Sequence, residues 1–180
     1  MSFCLMRSKP EYPLEHFSKL PELGQPWVFG AHIEKPSQPL VYRIHENIES
    51  PLYPLYELPH PLIRRDLLEK LTDFGIDNLQ CFPATLYHPQ FKEAQDDYVA
   101  FNVVGIVATC DMATTIMRNY EFFEFESDEI DGIESDFSRI PKFLTMARLA
   151  DRVGRIIVSH ELREHIDMEP GSGLAFFDLT

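Results

Sequence analysis

The sequence predicts an α+β fold: a mixed or antiparallel sheet with a buried central strand at about residues 98–109, flanked by a few short helices. The first observation is the run YVAFNVVGIVAT from Tyr98 to Thr109. It is rich in β-branched residues and nearly uniformly apolar, as a strand covered on both faces must be. The second is a helical period. Leu62, Ile63, Leu67, Leu68 and Leu71 recur at spacings of three to five, with Arg64, Arg65, Glu69 and Lys70 between them. The third is a set of shorter apolar, strand-like runs: Leu79–Tyr87, Arg155–Val158 and Leu174–Leu179.

Each element follows in chain order. Ten of the 14 prolines fall in residues 1–61. Proline fixes φ and removes a backbone donor, so this stretch holds no long helix. Short strands are expected near Pro26–Phe29 and Leu40–His45. Trp27, Tyr42, Tyr53, Leu55 and Tyr56 give the stretch enough apolar surface to lie against the rest. The chain thus divides into a proline-rich extended segment over 1–60, packed on the fold, and an α+β core over 61–180. Pro61 suits the first turn of the helix that follows, and Gly75 suits its end. Leu79 to Tyr87 reads as a strand in which Pro83 marks an edge or a bulge, and His88-Pro89 ends it. Asp97 and Asp111 bracket the central strand.

Farther on, the EFFEFE portion reads as a strand with one wet face, and Asp131-Gly132 as a turn. Leu144–Ala150 is short and apolar. Ser159 is a good N-cap for a helix over His160–Met168, with Glu161 and Glu164 in its first turns. Pro170-Gly171-Ser172-Gly173 breaks that helix before the terminal strand. Two segments, Tyr56–Leu86 and Arg152–Leu179, share an order of extended run, helix, glycine and strand. Such units are common, and the shared order alone does not establish a duplication.

Charge narrows the function. Sixteen Lys and Arg stand against 29 Asp and Glu, a net charge of −13. Such a surface repels nucleic-acid phosphates and anionic headgroups and attracts a basic protein. Neither nucleic acid nor membrane is therefore an expected partner. The apolar start, Phe3 to Met6, is too short for a signal peptide, and Tyr98–Cys110 falls short of a membrane span. A cytoplasmic protein is expected. Cys4, Cys81 and Cys110 are widely spaced, with no CxxC, so a zinc site has no support. Cys81 and Cys110 read as buried, reduced core residues.

No catalytic signature appears: HExxH, GxSxG, a P-loop and GxGxxG are all absent from the sequence. Glu161 and His165 stand four apart on the last helix, which reads as a surface ion pair before half a metal site. Asp97 and Asp111, with His88 or His160, are the carboxylates and bases a hydrolase would need to bring together. Polar capping of strand ends accounts for the two aspartates as well. Neither a cofactor nor a metal is expected. The most distinctive segment is 119–138, with eight acids and no Lys or Arg. Within it Glu121, Phe122, Phe123, Glu124, Phe125, Glu126, Asp128 and Glu129 read as a docking face. Aromatic anchors ringed by carboxylates suit a basic partner. An ordinary half-exposed strand with excess acids has equal weight.

Four stretches resemble one family: GIDNLQCFPATL (75–86), DYVAFNVVGIVATCD (97–111), MARLADRVGRIIVSHELREHI (146–166) and GLAFFDL (173–179). They are similar to immunity protein family eleven of bacterial polymorphic toxin systems. Where that family often has Phe before an Arg-Leu pair, this chain has Ala147 before Arg148-Leu149. The proline-rich N-terminal segment matches nothing in the pattern. The resemblance implies a protein encoded beside a toxin, which it binds and blocks, with no cofactor and no catalytic residues. The expected partner is a cognate toxin with a basic contact surface. A hydrolase reversing a toxin's modification, or a homo-oligomer associating through its phenylalanines, are the alternatives.

Overall fold

The computed structural model describes residues 2–8, 17–22, 27–46, 52–57, 61–91, 93–109, 136–150, 154–166 and 173–179. Among them the fold is α+β: two helices and eleven strands in two mixed sheets. The first sheet is built from β1 (Phe3–Ser8), β8 (Ile106–Val107), β9 (Met146–Leu149), β10 (Ile156–Ser159) and β11 (Leu174–Asp178), in the order β11-β1-β10-β9-β8. The second contains β2 (Phe17–Lys19), β3 (Leu40–Ile44), β4 (Leu55–Tyr56), β5 (Leu62–Arg64), β6 (Leu79–Tyr87) and β7 (Tyr98–Val103), in the order β2-β3-β6-β7-β5-β4.

Alternation along the strands divides the interior into three apolar layers. Cys4 and Met6 of β1, Met146 of β9, and Ile156 and Val158 of β10 face Ile63, Val99, Phe101 and Val103 of the other sheet. Between the sheets lie the helices α1 (Arg65–Asp73) and α2 (His160–Ile166), which bury Leu67, Leu71, Leu162 and Ile166. The opposite face of the second sheet carries Tyr42, Tyr56, Leu62, Phe82 and Ala100, packed with Trp27 and Tyr53. The opposite face of the first sheet, with Leu5, Ala147 and Ile157, is covered by Ile140 and flanked by Phe137 and Leu144.

Several expectations are corrected by this arrangement. The single strand predicted at 98–109 is two strands in different sheets. Its first six residues are buried, as expected, but the chain leaves the second sheet after Val103. Gly105, at φ +112°, then carries it into the first sheet, and its N–H donates to Gly30 O at 2.8 Å. A β-branched residue resists that backbone conformation, so the glycine decides where the strand breaks. The helix begins later than its period suggests: Leu62 and Ile63 lie in β5, paired with Ala100 and Val99. Trp27 and Val28 form a buried turn and not a strand. Pro83 lies in an interior strand. Its pairing with Val99 ends the β6–β7 ladder, and Ala84 begins the parallel ladder to β3. The missing N–H thus falls where β6 exchanges one partner for another. Cys81 is exposed, while Cys110 lies outside the described residues.

Other expectations hold. Gly75, at φ +98°, ends α1 with its N–H on Thr72 O at 2.9 Å. Ser159 caps α2, its hydroxyl accepting from Leu162 N–H at 3.2 Å.

Candidate functional site

Among the described residues, those that the sequence singled out do not assemble into one site. Glu121, Phe122, Phe123, Glu124, Phe125, Glu126, Asp128 and Glu129 lie outside the described residues, as does Asp111. Asp97 is exposed at the start of β7, where its carbonyl accepts from Arg65 N–H at 2.8 Å. His88 is buried at the end of β6, with Nδ1 accepting from Gln90 N–H at 3.2 Å and its ring against Phe91. His160 belongs to the other sheet's helix and sits 3.2 Å from Asp178. Glu161 and His165 form no ion pair among the described contacts; His165 instead packs its ring on Phe74, 5.2 Å between centroids. Among the described residues no group of His, Cys, Asp and Glu is arranged to hold a metal ion.

What the fold does bring together is a buried cluster of charge. Glu57, just past β4, is 6% exposed, and Arg7 of β1 is 5% exposed. Arg148 of β9 is fully buried, and Arg155 stands just before β10. Arg148 lies two residues from Met146, so strand alternation turns it toward the inter-sheet core. The Glu57 carboxylate accepts from Ser8 N–H at 2.6 Å through Oε2. Its Oε1 lies 3.6 Å from Arg155 Nη1 and 3.8 Å from Arg7 Nε. Those are ion-pair distances, too long for hydrogen bonds. Burial pushes the Glu57 carboxyl above its ordinary range, against the pull of the Ser8 N–H and of Arg155, Arg7 and Arg148. Burial also pushes the Arg148 guanidinium down to about 10, although Glu57 favours its charge.

Arg148 is only partly satisfied. Its Nη1 donates to Gly154 O at 2.7 Å. Nε and Nη2 are buried and find no hydrogen-bond partner among the described residues. A buried donor left without an acceptor costs about 1–3 kcal/mol, and a charged one costs more. These two nitrogens form the guanidinium edge that grips a carboxylate with two parallel bonds. Arg64 uses that same edge on the surface, donating from Nε and Nη2 to the two Asp66 oxygens at 2.8 and 2.6 Å. In Arg148 the same two nitrogens have no such partner among the described residues.

Sequence reasoning missed this cluster because its four members come from three separate parts of the chain, around 7, 57 and 148–155, and follow no spacing rule. The available signal was local: single charges set against apolar runs, as in MARL, RIIV and YEL.

The polar residues of the stretches that carry the family resemblance have tasks in the fold. Asn78 Nδ2 donates to Val104 O and Met146 O, at 2.8 and 3.0 Å, and so ties the sheet switch to β9. Gln80 exchanges hydrogen bonds with both backbone groups of Ile33, and Asn102 Nδ2 donates to Ala31 O at 2.7 Å. They explain how the chain folds and leave kinship to other tests. No protein-family model and no curated protein matches the chain.

Proposed function

We propose that this protein is a cytoplasmic immunity protein that neutralises a cognate bacterial toxin by direct stoichiometric binding. The observation that carries the reading is the distribution of charge. Three of the 16 cationic side chains, Arg7, Arg148 and Arg155, are drawn inward around one carboxylate, Glu57. Setting these four aside leaves 13 cations against 28 anions for the rest of the chain. The fold therefore gives the remainder a more acidic balance than the sequence total implies. A potential of that sign steers a basic protein toward the surface and speeds encounter.

The acidic-aromatic segment is the proposed contact, with Phe122, Phe123 and Phe125 as anchors and Glu121, Glu124, Glu126, Asp128 and Glu129 around them. Occlusion of the toxin's active site is the simplest mode of action, and it needs no cofactor and no catalytic residue in this chain. No helix among the described residues is long and apolar enough to cross a membrane.

The test begins with tagged protein recovered from its host, which should carry one neighbour-encoded protein in equal amount. Reversal of Glu121, Glu124, Glu126 and Asp128 to Lys then slows association with that protein, by a factor that shrinks as salt is added. An unchanged on-rate at low salt removes this segment from the interface. Recovery of this protein alone, with the neighbour expressed, removes the binding reading itself.

A further inference from the structure

We infer that β11 is a dimerisation edge, on which the same strand of a second copy pairs antiparallel about a two-fold axis at Phe177. The first observation is a comparison of edges. Among the described residues the two sheets end in β11, β8, β2 and β4. Strands β8 and β4 have two residues each, and β2 has three, with a register shift and the exposed Lys19. Short length, irregular register and lysine are the devices that keep an edge from pairing. Strand β11 has none of them: its five residues, LAFFD, pair with β1 in unbroken register. The second observation is where its backbone points. Leu179 N–H donates to Phe3 O at 3.1 Å, which continues the β1–β11 register as a hydrogen-bonded pair. Alternation along an antiparallel ladder then gives the backbone groups of Phe177 and Ala175 to β1 and turns those of Phe176 and Asp178 outward. No partner for these outward groups is found among the described residues.

The side chains make this edge complementary to itself. An axis at Phe177 sets Phe176 opposite the second copy's Asp178, so each outward N–H finds a carbonyl. Phe177 meets its own counterpart at the axis, in the non-hydrogen-bonded position where side chains come closest. It is 45% exposed in the single chain, and an aromatic pair across the strands covers that surface. On the other face Arg163 donates to Asp178 at 2.8 Å and stands 5.7 Å from the centre of the Phe176 ring. The second copy's Asp178, opposite that ring, comes beside the same guanidinium. Each arginine therefore lies between its own Asp178 and the other copy's. Opposite charges meet at the axis, although the chain as a whole is acidic. The pairing needs no toxin, so it stands whether or not the toxin-binding proposal does.

Sedimentation equilibrium of the full chain over a range of concentrations tests it. A reversible monomer–dimer equilibrium is expected. It tightens as salt is added, because screening weakens the repulsion between two chains of net charge −13. Hydrogen exchange gives a second readout: the Phe176 and Asp178 amides gain protection as protein concentration rises. Phe177→Lys alters an exposed side chain and sets two like charges at the axis, so the dissociation constant rises about tenfold or more. Should Phe177→Lys fail to fold, Phe177→Cys in a Cys81→Ser chain forms a linked dimer on mild oxidation. The Cα atoms of such a pair stand about 4.5 Å apart, within disulfide reach. The Cys81→Ser chain alone, with Phe177 in place, forms no such link. A single-chain mass at every concentration overturns the pairing, as does a dimer equally tight in Phe177→Lys, or no link through Phe177→Cys. Protection of the Phe176 and Asp178 amides only when a toxin is added also overturns it and gives the edge to a foreign strand.

Discussion

Residues 62–87 and 156–178 are two versions of one architectural unit. In the first, β5 runs directly into α1, and the chain returns as β6. In the second, β10 runs directly into α2, and the chain returns as β11. Each pair of strands is separated by one antiparallel strand buried along its whole length, β7 in the first and β1 in the second. Both helices turn their apolar faces into the same core. What differs is how the middle strand is anchored. Tyr98, at the start of β7, donates its hydroxyl to Tyr53 O at 2.7 Å, within packed rings. Ser8, at the end of β1, donates its hydroxyl to Leu55 O and its N–H to Glu57, beside Arg7. The segment 53–57 therefore clasps both units, with packed aromatic rings on one side and a buried carboxylate among arginines on the other. Neutral packing can be complete by itself. Buried charge is complete only when every donor has an acceptor, and among the described residues Arg148 Nε and Nη2 have none.

The contrast predicts unequal costs. Glu57→Ala removes the buried carboxylate that stands beside Arg7 and the partly buried Arg155, and leaves Ser8 N–H without this acceptor. A buried ion pair adds little net stability while intact but is expensive to break, so urea unfolding should show a loss of about 3–5 kcal/mol. Tyr98→Phe removes the hydrogen bond to Tyr53 O and the hydroxyl's hydrogen bond with Arg64, and should cost about 1–2 kcal/mol. Equal losses would end the distinction between the two anchors.

The next effect sharpens the similarity. Leu67 on α1 and Leu162 on α2 are both fully buried in the shared core. Replacement of either by Ala should cost about 2–5 kcal/mol, with similar values for the two. Ser159→Ala comes next, removing the cap of α2 at about 1 kcal/mol, measured by the same unfolding assay. The matching position before α1 is Arg64, whose side chain makes no cap bond.

The smallest effect is one of pH. Arg64 holds the Asp66 carboxyl below its ordinary range, mainly through their hydrogen bonds. A folded-state pKa below the unfolded value gives stability that is present above the ordinary carboxylate value. It is lost as pH falls through the lowered value. Because the Asp66 side chain is 49% exposed, solvent screening reduces this to a few tenths of a kcal/mol. The pH dependence of unfolding should lose that component in Asp66→Asn.

Local signals carried much of the fold, and non-local ones were illegible. The Ser159 cap, the Gly75 stop and the runs at 79–87 and 174–178 depend on neighbours in sequence. The sheet switch at Gly105 depends on Gly30 and Asn78, far away in the chain, so the apolar run around it reads as one strand. Leu62 and Ile63 fit both a helical period and a strand, and pairing with β7 decided between them. The exposure of Cys81 was hidden by its apolar neighbours, since alternation in a strand sends adjacent residues to opposite faces. The charge cluster needed three distant stretches of chain to meet, at Arg7, Glu57 and the Arg148–Arg155 strand pair. The acidic-aromatic segment is legible in sequence alone and stays the site of the proposal.

Co-expression with the proposed cognate toxin is the most direct test of the proposed function. Growth in cells making both proteins should match that of cells making neither, and the purified pair should have the mass of one complex of fixed stoichiometry. Growth arrest that persists while this protein is folded and in excess would contradict the account.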